Sequence, residues 1–376
     1  MTRPYQICVY CVMDTTDPVI VFDNASVCNH CKEYAERARR ELHLGEQGLK
    51  ELSELISVIK KNGENKEYDC VIGLSGGVDS TLVAYMVKQA GLRPLAVHLD
   101  NGWDDELAVA NIEKTVKKLD ADLYTKVIDW DVFKDLHLAF LKASEPNSEI
   151  PTDHAIVATL FHTAAEKGIK YIIHGGNIVS EAIMPRSWGY DAQDFFYIKA
   201  IHKKFGNTSL ISFPHLDLLH WIYFLFIRRI RYIPLLNYVP YVKKDAKVLL
   251  EKELGWEDYG SKHFESVYTR FFQGYILPKK FGFDKRRAHL STLICSRQIT
   301  RDEALKELEH NPYPTEKMMN DDKEYVLKKL GLSDEEFENI MAIPLKTYKD
   351  YPNLSFILYN PNPFVKMTRQ FVKRKH

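Results

Sequence analysis

The most constraining feature of this sequence is a loop with two glycines between an apolar strand and a helix. The apolar segment 69–74 leads into Ser75-Gly-Gly-Val-Asp-Ser80, and the helical pattern 81–88 follows at once. Gly76 and Gly77 allow backbone N–H groups to close around phosphate oxygens, and the hydroxyls of Ser75 and Ser80 can donate further hydrogen bonds. The helix N-terminus adds a partial positive charge. The segment therefore predicts a binding site for the phosphates of a nucleotide.

Asp79 gives this loop a distinctive chemistry. A carboxylate inside an anion site requires a cation, so we expect Asp79 to bind Mg²⁺ that bridges the phosphates. The sequence lacks the G-x-x-x-x-G-K-[ST] motif, which disfavours γ-phosphate transfer. The pattern SGGxDS resembles the signature of PP-loop enzymes. That resemblance implies cleavage of ATP to AMP and pyrophosphate, with Asp79 and Ser80 as catalytic residues; a plain glycine-rich turn is the alternative.

The pattern around the loop predicts the fold class. Candidate strands cover residues 69–74, 94–99, 122–128 and 171–174, and helical patterns alternate with them. This alternation predicts an α/β fold with a doubly wound parallel sheet. The resemblance of the loop to PP-loop enzymes implies that the sheet is of the PP-loop (HUP) type. Past about residue 212 the chain reads as helical, and the capping boxes Thr300-x-x-Glu303 and Ser333-x-x-Glu336 each predict a helix start. The expected units are a zinc-binding unit (1–40), a PP-loop ATP-binding domain (41–211) and a helical substrate and partner region (212–376).

Polar residues that follow two other strands are candidates for nucleotide contacts. His98 and Asp100 stand at the end of the second strand, where ligands of doubly wound sheets bind. The alternative is that they only end the strand and cap the next helix. The fourth strand is followed by a second glycine-containing segment with the candidates Gly175, Gly176, Asn177 and Glu181.

Four of the six cysteines form the pairs Cys8-x-x-Cys11 and Cys28-x-x-Cys31. This spacing is typical of zinc sites, and four protein ligands leave no open coordination position. We therefore expect a structural Zn²⁺ in a zinc-ribbon unit. Four free thiols, or one redox-active pair, are the alternatives. Cys70 and Cys295 are expected to be packing residues.

Charge and hydropathy limit the classes of partner. Lys plus Arg and Asp plus Glu both number 51, so no overall field favours nucleic acid. The N-terminal segment has no apolar core of the kind a signal peptide needs, which predicts a cytoplasmic protein. The most apolar run, residues 218–227, is too short for a transmembrane segment. We expect it to form a core helix, with a membrane-surface helix as the alternative because basic residues follow it.

Beyond the loop, the chain resembles the N-acetyl sugar amidotransferase family of bacterial surface-polysaccharide synthesis, the WbpG-like proteins. The resemblance covers nearly the whole length. The matching segments are 8–18, the second cysteine pair, 75–80, 98–103, 151–154, 174–177, 255–263 with 265–266, and 280–291. It implies that ATP activates the oxygen of an N-acetyl group, carried by a sugar that is expected to be nucleotide-linked, as an O-adenylyl imidate. Ammonia then displaces AMP and leaves an acetamidino group.

The same resemblance implies partners that supply ammonia. A self-sufficient class II glutaminase requires a cysteine directly after Met1, where this sequence has Thr2. The family pattern implies a separate glutaminase subunit and a cyclase-barrel-like subunit, resembling the histidine-pathway pair.

Residues of the C-terminal half complete the predicted site. Lys285 and Arg286, with Lys262, Lys279, Lys280 and Arg287, are candidates to bind pyrophosphate or the diphosphate of a nucleotide sugar. Lys262, His263 and Asp153 are candidate catalytic residues, and Glu265 and His289 are further polar candidates. The alternatives are a solvated basic face for the cations and helix capping for Asp153.

A PP-loop tRNA-modifying enzyme of the thiolation type is the main alternative function. The neutral charge balance argues against it, and Cys70 and Cys295 do not form a convincing catalytic pair. A degenerate ATP-binding scaffold is a further alternative, which the intact Asp79 and Ser80 disfavour.

Overall fold

The computed structural model describes residues 3–260 and 264–355, and its centre is a parallel five-stranded sheet. The strands lie in the order β3-β2-β1-β4-β5, and every neighbouring pair is parallel. Their bounds are Cys70–Gly73 (β1), Pro94–Asp100 (β2), Asp122–Val127 (β3), Tyr171–His174 (β4) and Arg231–Pro234 (β5). The four predicted strands are confirmed, each end within one residue. The fifth lies in the region that was predicted to be helical.

Helices cover both faces of the sheet, as a doubly wound fold requires. Ile72 and Ile173 point to one face, where they pack in a core with residues of α2, α3, α4 and α10. Val71 and Ile172 point to the other face and pack against α6. The bounds of the helices up to β4 are Asn29–Glu41 (α1), Gly45–Gly63 (α2), Val78–Gln89 (α3), Glu106–Leu119 (α4), Trp130–Ala143 (α5) and Ile150–Glu166 (α6).

The chain beyond β4 is largely helical. Its α-helices are Ile178–Glu181 (α7), Phe195–Phe205 (α8), Leu218–Ile222 (α9), Lys243–Leu254 (α10), Val267–Phe271 (α11), Arg286–Cys295 (α12), Arg301–Glu309 (α13), Glu316–Leu330 (α14) and Asp334–Ala342 (α15). Two wider π-helical segments extend α9 and α11, at Tyr223–Ile227 and Phe272–Phe281. Both predicted capping boxes are formed, at the starts of α13 and α15.

The expectation of a core helix at residues 218–227 was wrong. Leu218 and Leu219 are 71% and 74% exposed, and of the π-helical part only Phe224 is buried. Apolar residues occur on all sides of this short helix, while only one side can contact the sheet. Among the described residues, no helix is long and apolar enough to cross a membrane.

Candidate active site

The predicted phosphate loop lies between the carboxyl end of β1 and the N-terminus of α3. Gly76 has a left-handed φ of +79°, and a Cβ atom there would lie 2.4 Å from the carbonyl oxygen of Ala108. The loop is closed by side chains, since the Ser80 hydroxyl accepts from the N–H of Ser75 at 3.2 Å and the Ser75 hydroxyl accepts from Gly77 at 3.3 Å. The start of α3 therefore presents backbone N–H groups beside two hydroxyls.

Segments from distant parts of the chain meet at this loop. The indole Nε1–H of Trp256 donates to the carbonyl oxygen of Gly76 at 2.8 Å. The hydroxyl of Tyr241 donates to the carboxylate of Asp79. Gly175 approaches the same turn so closely that a Cβ atom would lie 2.9 Å from the backbone nitrogen of Ser80. The first turn of α3 is thus fixed from three directions.

A cavity opens beside the loop, and we name it the loop cavity. It brings together seven of the predicted residues, which are Ser75, Gly77, Asp79, Ser80, Gly175, Gly176 and Glu181. The carboxylates of Asp258 and Glu265 and the ammonium groups of Lys243 and Lys247 also line it. Carboxylate oxygens are the ligands that Mg²⁺ prefers, and ammonium groups bind phosphates, so this mixture suits a magnesium nucleotide.

Three predicted nucleotide contacts have structural roles in the described residues. His98 binds the carbonyl oxygen of Leu74 through Nδ1 at 3.0 Å and Asp104 through Nε2 at 3.1 Å. Burial lowers the pKa of His98, but Asp104 outweighs this effect and the pKa is raised overall. Asp100 accepts from the N–H of Gly102, and Asn177 caps α7 by accepting from Ser180. None of the three lines the loop cavity, so they act on it by holding the ends of β1, β2 and β4.

A second and larger cavity, the acceptor cavity, adjoins the first. Lys243 and Lys247 line both, one helical turn apart on α10. Glu181 lines the loop cavity and its neighbour Ser180 lines the acceptor cavity. The acceptor cavity has a volume of about 440 Å³ against 190 Å³ for the loop cavity, and its walls mix apolar, cationic and acidic side chains.

Three carboxylates, Glu149, Asp153 and Glu181, are close enough to interact electrostatically, and Glu181 lines the loop cavity. Glu149 binds Lys285 at 3.2 Å and accepts from the amide of Gln273 at 2.8 Å, and both of these partners line the acceptor cavity. Asp153 lies on α6, keeps part of its surface exposed and lines neither cavity. Desolvation by the surrounding protein and the charge of Glu149 raise the pKa of Asp153 to about 7, with Lys285 opposing and Glu181 contributing further. Asp153 can therefore gain or lose a proton near neutral pH.

The predicted C-terminal cations divide into two groups. Lys285 and Arg286 line the acceptor cavity, although Arg286 is held by Asp284 at 2.7 Å and by the carbonyl oxygen of His310 at 2.8 Å. Lys279, Lys280 and Arg287 line neither cavity. Lys280 instead donates to the carbonyl oxygen at the end of α15 (Ile340) at 2.6 Å. The predicted residues Lys262 and His263 lie outside the described residues.

The residues that the sequence analysis missed come from the segment 241–259. Tyr241, Lys243, Lys247, Trp256 and Tyr259 contact the loop or line its cavity. The four-residue spacing of Lys243 and Lys247 on one helical face was a usable signal. However, nothing in the sequence connects this pair of lysines to a loop more than 160 residues earlier.

The four N-terminal cysteines converge on one point. Their Sγ atoms lie 3.6 Å apart for Cys11 and Cys28, 3.6 Å for Cys28 and Cys31, and 3.9 Å for Cys8 and Cys31. A tetrahedral Zn²⁺ with Zn–S bonds of about 2.3 Å requires sulfur atoms about 3.8 Å apart, so the cluster fits zinc. Backbone N–H groups point at the sulfurs, as from Cys28 to Cys8 at 3.3 Å. Cys295 lies 3.9 Å from Cys31, outside this set of four.

The cysteine unit packs on the C-terminal helices. Arg301 donates to the carbonyl oxygens of Cys8 and Cys11, both at 3.1 Å. Arg287 pairs with Asp14 at 3.0 Å, and the N–H of Val12 donates to Ser291 at 3.2 Å. The unit is therefore continuous with the start of α12, which carries the wall of the acceptor cavity.

Two family models match different parts of the chain. The model of the WbpG-like LPS biosynthesis protein C-terminal domain matches residues 265–362. The NAD synthase model matches residues 51–167, which include the phosphate loop.

Individual proteins match more distantly. The tRNA-specific 2-thiouridylase MnmA of Mesomycoplasma hyopneumoniae is 33% identical over 121 residues, covering 26% of this chain and 32% of that protein. MnmA of Yersinia pestis is 29% identical over 165 residues, covering 39% and 44%. The chain thus spans less than half the length of these curated relatives. The solved NH3-dependent NAD synthetase of Campylobacter jejuni superimposes with a TM-score of 0.33 at 19% identity, covering 69% of this chain and 96% of that one.

Proposed function

We propose that this chain, which joins a PP-loop domain of the NAD synthase type to a WbpG-like C-terminal domain, is an ATP-dependent amidotransferase. Its substrate is an N-acetyl sugar, expected to be nucleotide-linked, and its product carries an acetamidino group. The observation that carries the proposal is the pair of adjoining cavities that share Lys243 and Lys247. One cavity surrounds a phosphate loop, and the other has room for a second substrate.

In the first step the acetamido oxygen attacks the α-phosphorus of ATP. The bond from that phosphorus to the bridging oxygen of pyrophosphate breaks, and an O-adenylyl imidate forms. Asp79 with Glu181 or Glu265 would hold Mg²⁺, which neutralises phosphate charge when bound. Lys243 and Lys247, which line both cavities, would bind the pyrophosphate as its charge develops, and Lys247 would exchange its pairing with Asp258 for the phosphate.

In the second step ammonia attacks the imidate carbon, the C–O bond breaks and AMP leaves. The amide N–H stays on its nitrogen in the first step, so the imidate cation and the attacking ammonia together carry four N–H protons. The amidinium product keeps three of them, and one proton must therefore be accepted. Asp153, whose pKa is about 7, can take this role near neutral pH. The carboxylates of Glu149 and Glu181 would also attract an ammonium ion before it loses its proton. We propose that a separate glutaminase and a cyclase-barrel-like partner deliver the ammonia.

The main alternative is tRNA thiolation, which the matches to the 2-thiouridylases make worth testing. Sulfur transfer requires a reactive thiol near the activated base. Cys70 is buried in β1, and burial raises the pKa of its thiol. Among the described residues that line the two cavities, none is a cysteine. The cavities therefore favour the amidotransferase.

The test measures AMP and pyrophosphate release with nucleotide-linked N-acetyl sugars and ammonium, together with the mass of the sugar product. Wild-type protein is compared with Asp79→Asn and with Glu54→Gln, an exposed acid on α2. Replacing oxygen by NH changes the mass by about one unit, so high mass resolution is needed. We expect AMP-coupled conversion in wild type and Glu54→Gln, and at least a roughly hundredfold loss in Asp79→Asn.

An undermodified tRNA is supplied in a parallel reaction. If tRNA stimulates AMP release while no sugar is converted, the amidotransferase proposal is wrong and the thiolation alternative stands. If neither substrate stimulates AMP release, the activation step itself is wrong.

A further inference from the structure

A cluster of metal-binding side chains lies outside both cavities, at the start of α9. His215, Asp217 and His220 each place a potential ligand atom within 4.8 Å of the others. All three side chains are half-buried. A tetrahedral ion with bonds of about 2.1 Å requires ligand atoms about 3.4 Å apart, which modest side-chain rotations would produce.

The hydrogen bonds of these rings leave nitrogen lone pairs available. Nδ1 of His215 lies 2.9 Å from the carbonyl oxygen of Phe213, so Nδ1 must donate and Nε2 is left as an acceptor. A metal-binding histidine usually donates its other N–H to a backbone carbonyl in this way. Nδ1 of His220 lies 2.8 Å from the carboxylate of Asp217 and 3.4 Å from its backbone nitrogen, so an ion that binds both side chains replaces the contact between them.

A third histidine and an unpartnered hydroxyl lie next to the cluster. The ring of His162, on α6, is 5.1 Å from that of His220, and its Nε2 donates to the carbonyl oxygen of His215 at 3.0 Å. The three rings line a cavity between β3 and α6. Thr159 lines the same cavity and is 4% exposed, yet its hydroxyl has no hydrogen-bond partner in the described part of the chain. A buried hydroxyl of this kind indicates a missing partner, such as a water molecule or a metal-bound ligand.

Helix capping explains only part of this arrangement. Asp217 caps α9 by accepting from the N–H of His220 at 3.0 Å, and the side chain of His220 returns the contact. Capping requires neither His215 nor the adjacent His162. It also does not explain a cavity with a buried, unpartnered hydroxyl.

We propose that His215, Asp217 and His220 bind a divalent transition metal ion, distinct from the ion of the cysteine unit. Two imidazoles and one carboxylate suit Zn²⁺, Co²⁺ or Ni²⁺, and three protein ligands leave a coordination position for water or a small anion. The ion would join the 213–217 segment to α9. His162, as a neighbour on α6, is placed to contact the open position.

Co²⁺ is the probe because it distinguishes the two sites in the full-length protein. Cobalt bound to the cysteine cluster gives a strong thiolate charge-transfer absorption, whereas cobalt bound to imidazole and carboxylate does not. With excess Mg²⁺ present to occupy the carboxylates of the loop cavity, we expect about two equivalents of Co²⁺ per wild-type chain, of which only one adds to the thiolate absorption. His215→Ala and His220→Ala should bind about one equivalent with the thiolate absorption unchanged. That unchanged absorption also shows that the variants are folded.

Asp217→Asn separates metal binding from capping. Asparagine is as good an N-cap as aspartate, so a capping role predicts unchanged cobalt binding. Our proposal predicts at least about tenfold weaker binding of the second ion, because the anionic ligand is lost. His310→Ala, an exposed histidine elsewhere, is the matched control and should bind like wild type. One equivalent in wild type, all of it bound to thiolate, would overturn the proposal, as would unchanged binding in His215→Ala and His220→Ala.

Discussion

Tyr241 contacts Asp79, the predicted magnesium ligand, and we expect this contact to strengthen magnesium-dependent activity. The tyrosine hydroxyl donates to the carboxylate, and burial and the charge of Asp79 raise the tyrosine pKa, so the hydroxyl keeps its proton. We expect Tyr241→Phe to weaken magnesium-dependent ATP use about tenfold, because a hydrogen bond to a charged group contributes about 1.5–3 kcal/mol. Steady-state rates of AMP release at varied Mg²⁺ measure the effect. Tyr238→Phe, a tyrosine stacked on His43, is the control and should behave like wild type.

The raised pKa of Asp153 predicts how the stability of the protein depends on pH. Its pKa is raised from an ordinary value of 3.8 to about 7, so the native state binds more protons than the unfolded chain between these two values. Stability linked to this group therefore falls as pH rises through that range and levels off above it. Asp153→Asn removes the titration. The melting temperature of the variant, relative to wild type, should rise from pH 4 to about pH 7 and then stay constant.

The substitution Asp153→Asn should also change how the turnover rate depends on pH. If Asp153 accepts a proton during attack by ammonia, wild-type turnover rises as pH passes about 7, and this rise is absent in Asp153→Asn. Glu145 provides the control, because burial raises its pKa to about 8 while its interaction partners are Asn147 and Tyr197, which line neither cavity. Glu145→Gln should change the pH dependence of stability and leave the rate profile intact. A variant Asp153→Asn with the wild-type rate profile would contradict the proposed role.

Residues with a local signature were predictable, and residues assembled by the fold were not. Ser75, Asp79 and Ser80 follow from a six-residue pattern, and Cys8 to Cys31 follow from their spacing. Tyr241 carries no signature, and the spacing of Lys243 and Lys247 indicates one helical face but not its partner, because proximity to the loop depends on how α10 packs against α3. His98 was assigned to the nucleotide because strand ends bind ligands, yet in the structure its two nitrogens are occupied by Leu74 and Asp104.

At the scale of elements, the turn from β1 to α3 depends on the backbone of Gly76. A side chain there would adopt a left-handed φ and would contact Ala108 of α4 at 2.4 Å. We expect Gly76→Ala to cost about 3 kcal/mol in unfolding free energy, the sum of about 1–2 kcal/mol for the backbone and a further cost for displacing α4. ATP-dependent activity should also be lost. Urea unfolding and AMP release are the two measurements.

Gly282 is the matched control for this substitution. It has a similar φ of +72°, but a Cβ atom there would meet nothing within 4 Å. Gly282→Ala should cost only the backbone part, about 1–2 kcal/mol. Equal losses of unfolding free energy in Gly76→Ala and Gly282→Ala would show that the contact with α4 is unimportant.

Local sequence patterns predicted the first four strands of the sheet but not the last one, β5. β1, β2 and β4 are apolar runs between helical patterns, while β3 was found although all six of its residues are exposed at the sheet edge. β5 was missed because only four residues form it, they include Arg231 and Pro234, and its pairing with β4 is a tertiary contact. The exposed helix α9 was mistaken for a core helix because hydropathy alone does not say which surfaces are covered.

At the scale of the whole molecule, the cysteine unit packs on helices that also form part of the wall of the acceptor cavity. The unit binds α12 and α13 through Arg287, Ser291 and Arg301. α12 begins directly after Lys285, which pairs with Glu149 across the wall of the acceptor cavity. The loop cavity lies on other elements, at the ends of β1 and β4. If the cysteine unit holds Zn²⁺ and the proposed function is correct, loss of the ion should affect the acceptor cavity, the proposed sugar site, more than the loop cavity, the proposed ATP site.

The last prediction tests this connection. We expect removal of zinc with a strong chelator to lower the melting temperature and to raise the KM for the sugar about tenfold, while the KM for ATP changes less than about twofold. Arg301→Ala keeps the four cysteines but removes the hydrogen bonds to Cys8 and Cys11. This variant should lose about 2 kcal/mol of unfolding free energy. It should raise the KM for the sugar less than zinc removal does, with zinc still bound. If zinc removal raises both KM values equally, the cysteine unit supports the molecule as a whole rather than the acceptor cavity in particular.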